Sequence, residues 1–354
     1  MGEIYFSNII GNGELIGRLS RDISEGRLAH AYILEGQYGS GRHTLALQMA
    51  AAIECEKRGE DMGESLFGDT SEAKVPCGCC QSCMKILSGK SPDIKTVGPE
   101  DDKVFIGVET VRNVKNDMYT APNDLSIKVY IIEDADLMTG QAQNAFLLSL
   151  EEPPPYVLFF LICQNSSDLL ETVRSRAPTL RLQHIPDDEL ENFLISHDKR
   201  AKERRDTSVE DWKSLISVAS GSIGYGLKLL DNQKRGAILE QRKSVKDLIL
   251  MLARSNKLGA IDAILAFNRK RHETVELLLI LQSALRDLLL LKKDEGVALC
   301  FYEDRENALE ISSSFTTKAI LKYFDATKGA LDELEINSNI RLTLMNMMHS
   351  MAII

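Results

Sequence analysis

The stretch Gly36-Gln37-Tyr38-Gly39-Ser40-Gly41-Arg42-His43-Thr44 sets three glycines between an apolar run and an alanine-rich stretch. In such a turn, backbone N–H groups wrap phosphate oxygens and the N-terminus of the next helix adds a favourable dipole. Phosphate chemistry then needs two side chains at the end of the loop. A lysine ammonium reaches the β- and γ-phosphates, and a hydroxyl holds magnesium. Here Arg42 stands in the first position and His43 in the second. A planar guanidinium is not equivalent to a compact ammonium, and magnesium prefers oxygen to imidazole. Thr44 comes one residue too late, about 100° further round a helix. The stretch therefore predicts the shape of a phosphate loop, with Gly36, Gly39, Gly41, Arg42 and His43 as its degenerate binding residues. ATP hydrolysis is not expected of it, and any ATP or ADP bound there is vestigial.

Two further groups belong to the same chemistry. Ile131-Ile132-Glu133-Asp134-Ala135-Asp136 ends an apolar run in carboxylates. In nucleotide hydrolases an Asp here positions magnesium and the following Glu orients water. This chain reverses the order, with Glu133 before Asp134, and an alternative role is to cap the next helix. Downstream, Arg174-Ser175-Arg176 follows another apolar run. An exposed arginine there either reaches a phosphate held by a neighbouring molecule or forms a surface salt bridge.

The third group is built from sulfur. Four of the seven cysteines, Cys77, Cys79, Cys80 and Cys83, fall within seven positions. Cys77, Cys80 and Cys83 make two CxxC steps, and Cys55 supplies a fourth ligand if the 21 intervening residues loop out. Four thiolates close a tetrahedral zinc site and leave no open position, so the ion is structural. Cys79 is an alternative to Cys77 or Cys80, and a cluster of reduced thiols in a tight turn is the metal-free alternative. Cys163 and Cys300 read as core residues.

The elements that must carry these groups alternate. Ala31–Glu35, Lys128–Ile132 and 156–163 read as buried strands, and 43–55 and 140–152 as helices, the latter stopped by Pro153-Pro154-Pro155. Residues 56–76 read as a loop or insertion. Strands alternating with helices imply a parallel sheet with helices on both faces. After Ile185-Pro186 the strand signals stop; 187–231 looks helical with a break at 221–226, and 236–354 is leucine-rich at helical spacing. The expected domains are 1–182 (α/β, with a zinc module at about 55–83), 183–233 (small and helical) and 234–354 (helical).

Composition narrows the function. The 354 residues carry a net charge of −10, which excludes binding to DNA by bulk electrostatics while leaving room for a local basic strip. No window of ~18 apolar residues suits a membrane span, and the N-terminus shows no secretory pattern. The expected location is cytoplasmic, with no membrane partner.

Taken in order, these residues resemble one family, the delta prime subunit of the bacterial DNA polymerase III clamp loader, within the AAA+ superfamily. The resemblance starts at Phe6-Ser7-Asn8-Ile9-Ile10-Gly11 and Arg27-Leu28-Ala29-His30-Ala31-Tyr32. It passes through the degenerate loop, the cysteine segment and Ser91-Pro92-Asp93. It is densest at Ala135–Thr139, Ala142–Leu147 and Leu150-Glu151-Glu152-Pro153-Pro154, and ends at Arg174-Ser175-Arg176. Asn337–Leu342 resembles the family's collar more loosely. The resemblance implies an AAA+ P-loop-type parallel sheet, a helical lid and a C-terminal helical collar. It also implies a stator of the holoenzyme that does not itself hydrolyse ATP or polymerise DNA. Its partners are gamma/tau and delta in a five-membered ring, and through the assembly a sliding clamp and primed DNA. Arg176 would be the arginine finger acting in trans, with Ala177 in the family's Cys position. Two other positions depart: Gly224 replaces the nucleotide-sensing arginine of Gly221-Ser222-Ile223-Gly224, and Leu148 replaces a lysine. An active ATPase subunit of the gamma/tau type is the alternative, and a zinc-dependent nucleic-acid-binding module outside any ring is a third.

Overall fold

The computed structural model describes residues 6, 9–58, 75–99, 105–219, 221–294, 297, 299, 301–302, 304–335, 338–351 and 353. Ser7, Asn8, Cys300, Asn337 and residues 59–74 of the expected loop lie outside them.

Five strands form one parallel sheet: β1 (Ala31–Glu35), β2 (Ile94–Val97), β3 (Lys128–Ile132), β4 (Val157–Cys163) and β5 (Thr179–Arg181). Their order is β2-β3-β4-β1-β5, so the three longest occupy the centre. Every residue of β3 and β4 is buried, as expected when helices cover both faces. Alternation then divides the core. Val129, Ile131, Leu158 and Phe160 pack with Leu19 and Ile23 of α1 (Gly13–Ser24) and with Leu45 and Met49 of α2 (Arg42–Ile53). Tyr130, Ile132, Phe159 and Leu161 face the other way, toward α4 (Val108–Asp117) and α5 (Gly140–Glu151). A short helix, α3 (Gln81–Leu87), packs beside α2. After β4 comes a single turn, α6 (Glu171–Arg174).

The sheet has five strands where three were expected. β2 and β5 are three or four residues long and only partly buried, at the two edges of the sheet. An edge strand needs no continuous apolar run, which is the signal by which the three central strands are recognised.

Beyond β5 the described chain is helical. Its elements are α7 (Asp187–His197), α8 (Lys199–Thr207), α9 (Val209–Ala219), α10 (Ile223–Leu230), α11 (Asn232–Ala253), α12 (Lys257–Leu265), α13 (Arg271–Leu291), α14 (Arg305–Ser313), α15 (Thr317–Glu335) and α16 (Ile340–Ser350). One expectation needs correction. The break placed at 221–226 is shorter, because α10 starts at Ile223 and runs through Gly224 and Gly226. These glycines permit close contact rather than ending the helix. A Cβ at Gly226 would lie 3.0 Å from Leu194 Cδ1, and one at Gly224 would lie 2.8 Å from Gly39 Cα.

The chain divides into two compact units. The first comprises Met1–Asp101, Phe105–Glu189 and Ser222–Gly224; the second includes Leu190–Gly221 and Tyr225–Ile354. In the second, Leu277, Leu281 and Leu288 of α13 are wholly buried, as is Leu344 of α16. Among the described residues, no helix is long and apolar enough to cross a membrane.

Candidate functional site

The glycine loop leaves β1 at the C-terminal edge of the sheet. The Gly36 N–H donates to the Cys163 carbonyl at the end of β4, and the Ser40 N–H donates to the Gln37 carbonyl, closing the turn. Gly39 (φ 74°) and Gly41 (φ 95°) adopt left-handed backbone that side chains disfavour. Gly36 is needed for another reason: a Cβ there would lie 2.8 Å from Ser40 Oγ. α2 begins directly at Arg42, and no side chain caps it. Residues 222–224 rest on the outside of this loop. Ser222 Oγ donates to the Tyr38 carbonyl (2.7 Å) and the Gly224 N–H to the Gly39 carbonyl (2.8 Å). An arginine at 224 would collide with Gly39 unless the backbone moved.

The two altered positions have different surroundings. Arg42 is buried, 5% exposed, and its Nη1 finds no acceptor. His43 Nδ1 instead meets Glu133 Oε1 in a very short contact, joining the start of α2 to the end of β3. Asp134 takes left-handed backbone (φ 48°) before a 3-10 turn at Ala135–Leu137, and its side chain does not cap that turn. The capping alternative for this pair is therefore not what the geometry shows. Asp136, which was not singled out from the sequence, is the carboxylate set deepest here. Burial, helped by the charge of Asp134, pushes its acid up to about 6, although the Gln164 N–H donates to it at 2.9 Å and the charge of Arg42 opposes the rise. Its signal was present in sequence as the third acid of the run.

Arg176 lies one residue beyond the Ser175 that closes α6, with a side chain 33% exposed. Its guanidinium is held by its own chain. Nη1 donates to the Thr172 carbonyl (2.8 Å), and Nη2 makes a very short ion pair with Glu151 Oε1, at the last residue of α5. Glu151 is thus a partner of the arginine that sequence reasoning quoted without giving it a role. Ala177 is buried beside Val173 and Leu169, in a place that takes a small apolar side chain. Leu148 is 45% exposed on α5, so nothing in the fold demands a leucine there.

The four expected metal ligands come together. The sulfurs of Cys55, Cys77, Cys80 and Cys83 all lie within 4.8 Å of one another. A tetrahedron with metal–sulfur bonds of about 2.3 Å has edges of about 3.8 Å, and Cys77 Sγ and Cys83 Sγ are 4.0 Å apart. Backbone amides point inward, from Cys80 to Cys77 Sγ and from Cys83 to Cys80 Sγ. Cys79 is exposed and outside the group. Burial pushes the Cys83 and Cys55 thiols up. At Cys77 burial acts in the same direction but is outweighed by the Cys79 and Cys80 amides, which hold that thiol at about 6. The cluster can hold a metal ion, and with no other kind of ligand in it an ion there would tie the end of α2 to α3.

Comparison with known proteins places the chain among replication subunits. Residues 11–186 match the family described as "DNA polymerase III, delta subunit". The DNA polymerase III subunit gamma of Buchnera aphidicola subsp. Acyrthosiphon pisum is 30% identical over 270 residues, which cover 75% of this chain and 69% of that protein. The DNA polymerase III subunit delta′ of Bacillus subtilis is 32% identical over 180 residues, covering 51% of this chain and 50% of that one. Among solved structures, a DNA polymerase III gamma subunit-related protein from Thermotoga maritima aligns over 94% of this chain and 98% of its own, with 17% identity and a TM-score of 0.40.

Proposed function

Since this chain belongs to the family of DNA polymerase III clamp-loader subunits that includes gamma/tau and delta′, we propose that it is a non-hydrolysing member. In this reading it lends Arg176 to the ATP of a neighbouring subunit. The observation that carries the proposal is an asymmetry between two sites. At its own loop the ammonium and hydroxyl are replaced by a buried Arg42 and a His43 engaged by Glu133. At the surface, Arg176 keeps a partly exposed guanidinium beside Glu151 and Thr172.

In trans, a guanidinium donates paired N–H groups to the phosphoryl oxygens as charge builds on them, the role in which an arginine finger contributes about 10³–10⁵ in rate. Arg176 must then exchange the Glu151 carboxylate for phosphate oxygens. In this reading residues 183–233 are the lid, 234–354 the collar of a five-membered ring, and contact with a sliding clamp and primed DNA comes through the assembly. Cys55, Cys77, Cys80 and Cys83 hold structural zinc, supported by their mutual distances and the exclusion of Cys79.

The test is ATP turnover by the purified chain with magnesium, then by a ring reconstituted with its ATPase neighbours. The lone chain should be inactive. The ring should lose activity with Arg176→Ala. A second reading, an active subunit of the gamma/tau type, is favoured by the longer span of the gamma match; turnover by the lone chain would establish it.

A further inference from the structure

Glu151 sits where its own helix disfavours it. It is the last residue of α5, and Glu152 follows it. The C-terminal end of a helix carries partial negative charge, so a cation is favoured there and an anion is not. The last turn of α5 holds no basic residue. The compensating charge comes instead from outside the helix: Arg176, 25 positions later, brings Nη2 against Glu151 Oε1.

The Arg176 guanidinium is held in two different ways. Nη1 donates to the Thr172 carbonyl (2.8 Å) and to Ser175 Oγ (3.3 Å). Both acceptors are neutral and belong to α6 or to the residue that closes it, so they fix where the side chain lies without offsetting its charge. Glu151 is the one charged partner of Arg176 among the described residues. It takes a terminal nitrogen that paired donation to a phosphate would use, and its negative charge weakens the pull of the guanidinium on any other anion.

We propose that Glu151 is a positioning residue that competes with phosphate for Arg176. It parks the guanidinium at the end of α5 until the triphosphate of a neighbouring subunit displaces the carboxylate. This rests on the reading that Arg176 acts in trans, and it gives the effect of Glu151 a sign. Removing a group that supports the arginine slows turnover, whereas removing a competitor speeds it. The side chains of Arg176 and Glu151 are 33% and 43% exposed, and a pair so open to water is worth up to about fivefold in an equilibrium.

The test is Glu151→Gln, which keeps the acceptor oxygen and the shape of the side chain and removes its charge. In the lone chain, modification of Arg176 by phenylglyoxal, followed by peptide mass mapping, should become about three- to fivefold faster. In the reconstituted ring, kcat/KM for ATP should rise by a similar factor, and the rise should vanish when Arg176→Ala is also present. Glu152→Gln removes the adjacent charge and should leave both measurements within about twofold of wild type. The proposal is overturned if Glu151→Gln fails to speed the modification, if it leaves kcat/KM unchanged or lowers it, if its effect persists without Arg176, or if Glu152→Gln matches it. Unchanged ring turnover with Arg176→Ala alone defeats the trans reading and this proposal together. A ring that Arg176→Ala slows but Glu151→Gln does not speed defeats this proposal alone.

Discussion

His43 Nδ1 and Glu133 Oε1 are in direct contact, although ninety positions separate them in the chain. In a magnesium site the residue at the start of this helix and the carboxylate at the end of this strand meet through an ion. Here Nδ1 and Oε1 face each other directly, and the contact joins the start of α2 to the end of β3.

The arginine is open to direct measurement. Arg176→Ala should leave the stability of the chain within about 1 kcal/mol, because it removes a partly exposed ion pair. In a reconstituted ring the same change should slow ATP turnover by about 10³-fold or more. Steady-state rates beside urea unfolding curves check both halves. Unchanged ring activity would remove Arg176 from the chemistry.

Metal content tests the cysteines. Protein purified without chelator should carry about one equivalent of zinc by elemental analysis. Cys80→Ser should lose it and unfold at lower temperature, whereas Cys79→Ser should retain it, because Cys79 lies outside the cluster. Equal retention by both variants would contradict the ligand set.

Two carboxylates should give stability opposite slopes with pH. At Asp117 burial raises the acid, but hydrogen bonds from Lys95, Tyr130 and Lys128 outweigh it and hold the group at about 2. Its contribution is complete above the unfolded value of about 3.9 and is lost as pH falls from there toward 2. Asp136 has the reverse sign. Its acid is raised to about 6 by burial and by Asp134, so stability declines as pH rises from about 4 through 6. Asp136→Asn should abolish that decline and stabilise the chain at pH 8 by about 1–2 kcal/mol. Asp117→Asn should flatten the acid limb. Unfolding free energies across pH 2–8 decide whether either slope is present.

Gly224 gives a packing test. Gly224→Ala places a methyl 2.8 Å from the Gly39 backbone and should cost about 1–3 kcal/mol. Gly17→Ala, on α1 with nothing within 4 Å of the added atom, should instead stabilise by about 0.5–1 kcal/mol. Denaturant midpoints of the two variants should move in opposite directions. A neutral Gly224→Ala would mean that the backbone contact at Gly39 is loose.

What could be read in the sequence follows from how local each signal is. The glycine loop, the central strands and the cysteine spacing depend on neighbours a few residues away, so residue type and interval identify them. β2 and β5 escaped because Ile94–Val97 and Thr179–Arg181 become strands only by pairing with β3 and β1. The partners of His43 and Arg176 could not be read at all. Glu133 and Glu151 are brought to them by tertiary packing, and no interval encodes that. Gly224 looked like a helix breaker for the same reason, since the contact that requires a glycine lies at Gly39.

α2 begins at the glycine loop and ends two residues before Cys55. At 1.5 Å per residue it is a strut about 18 Å long, braced by the His43 contact at one end and by the sulfur cluster at the other. Tilting or sliding it would strain both braces at once. Under the proposed reading, the outline of a nucleotide pocket outlives its chemistry, because the architecture that holds its floor in place does not depend on catalysis.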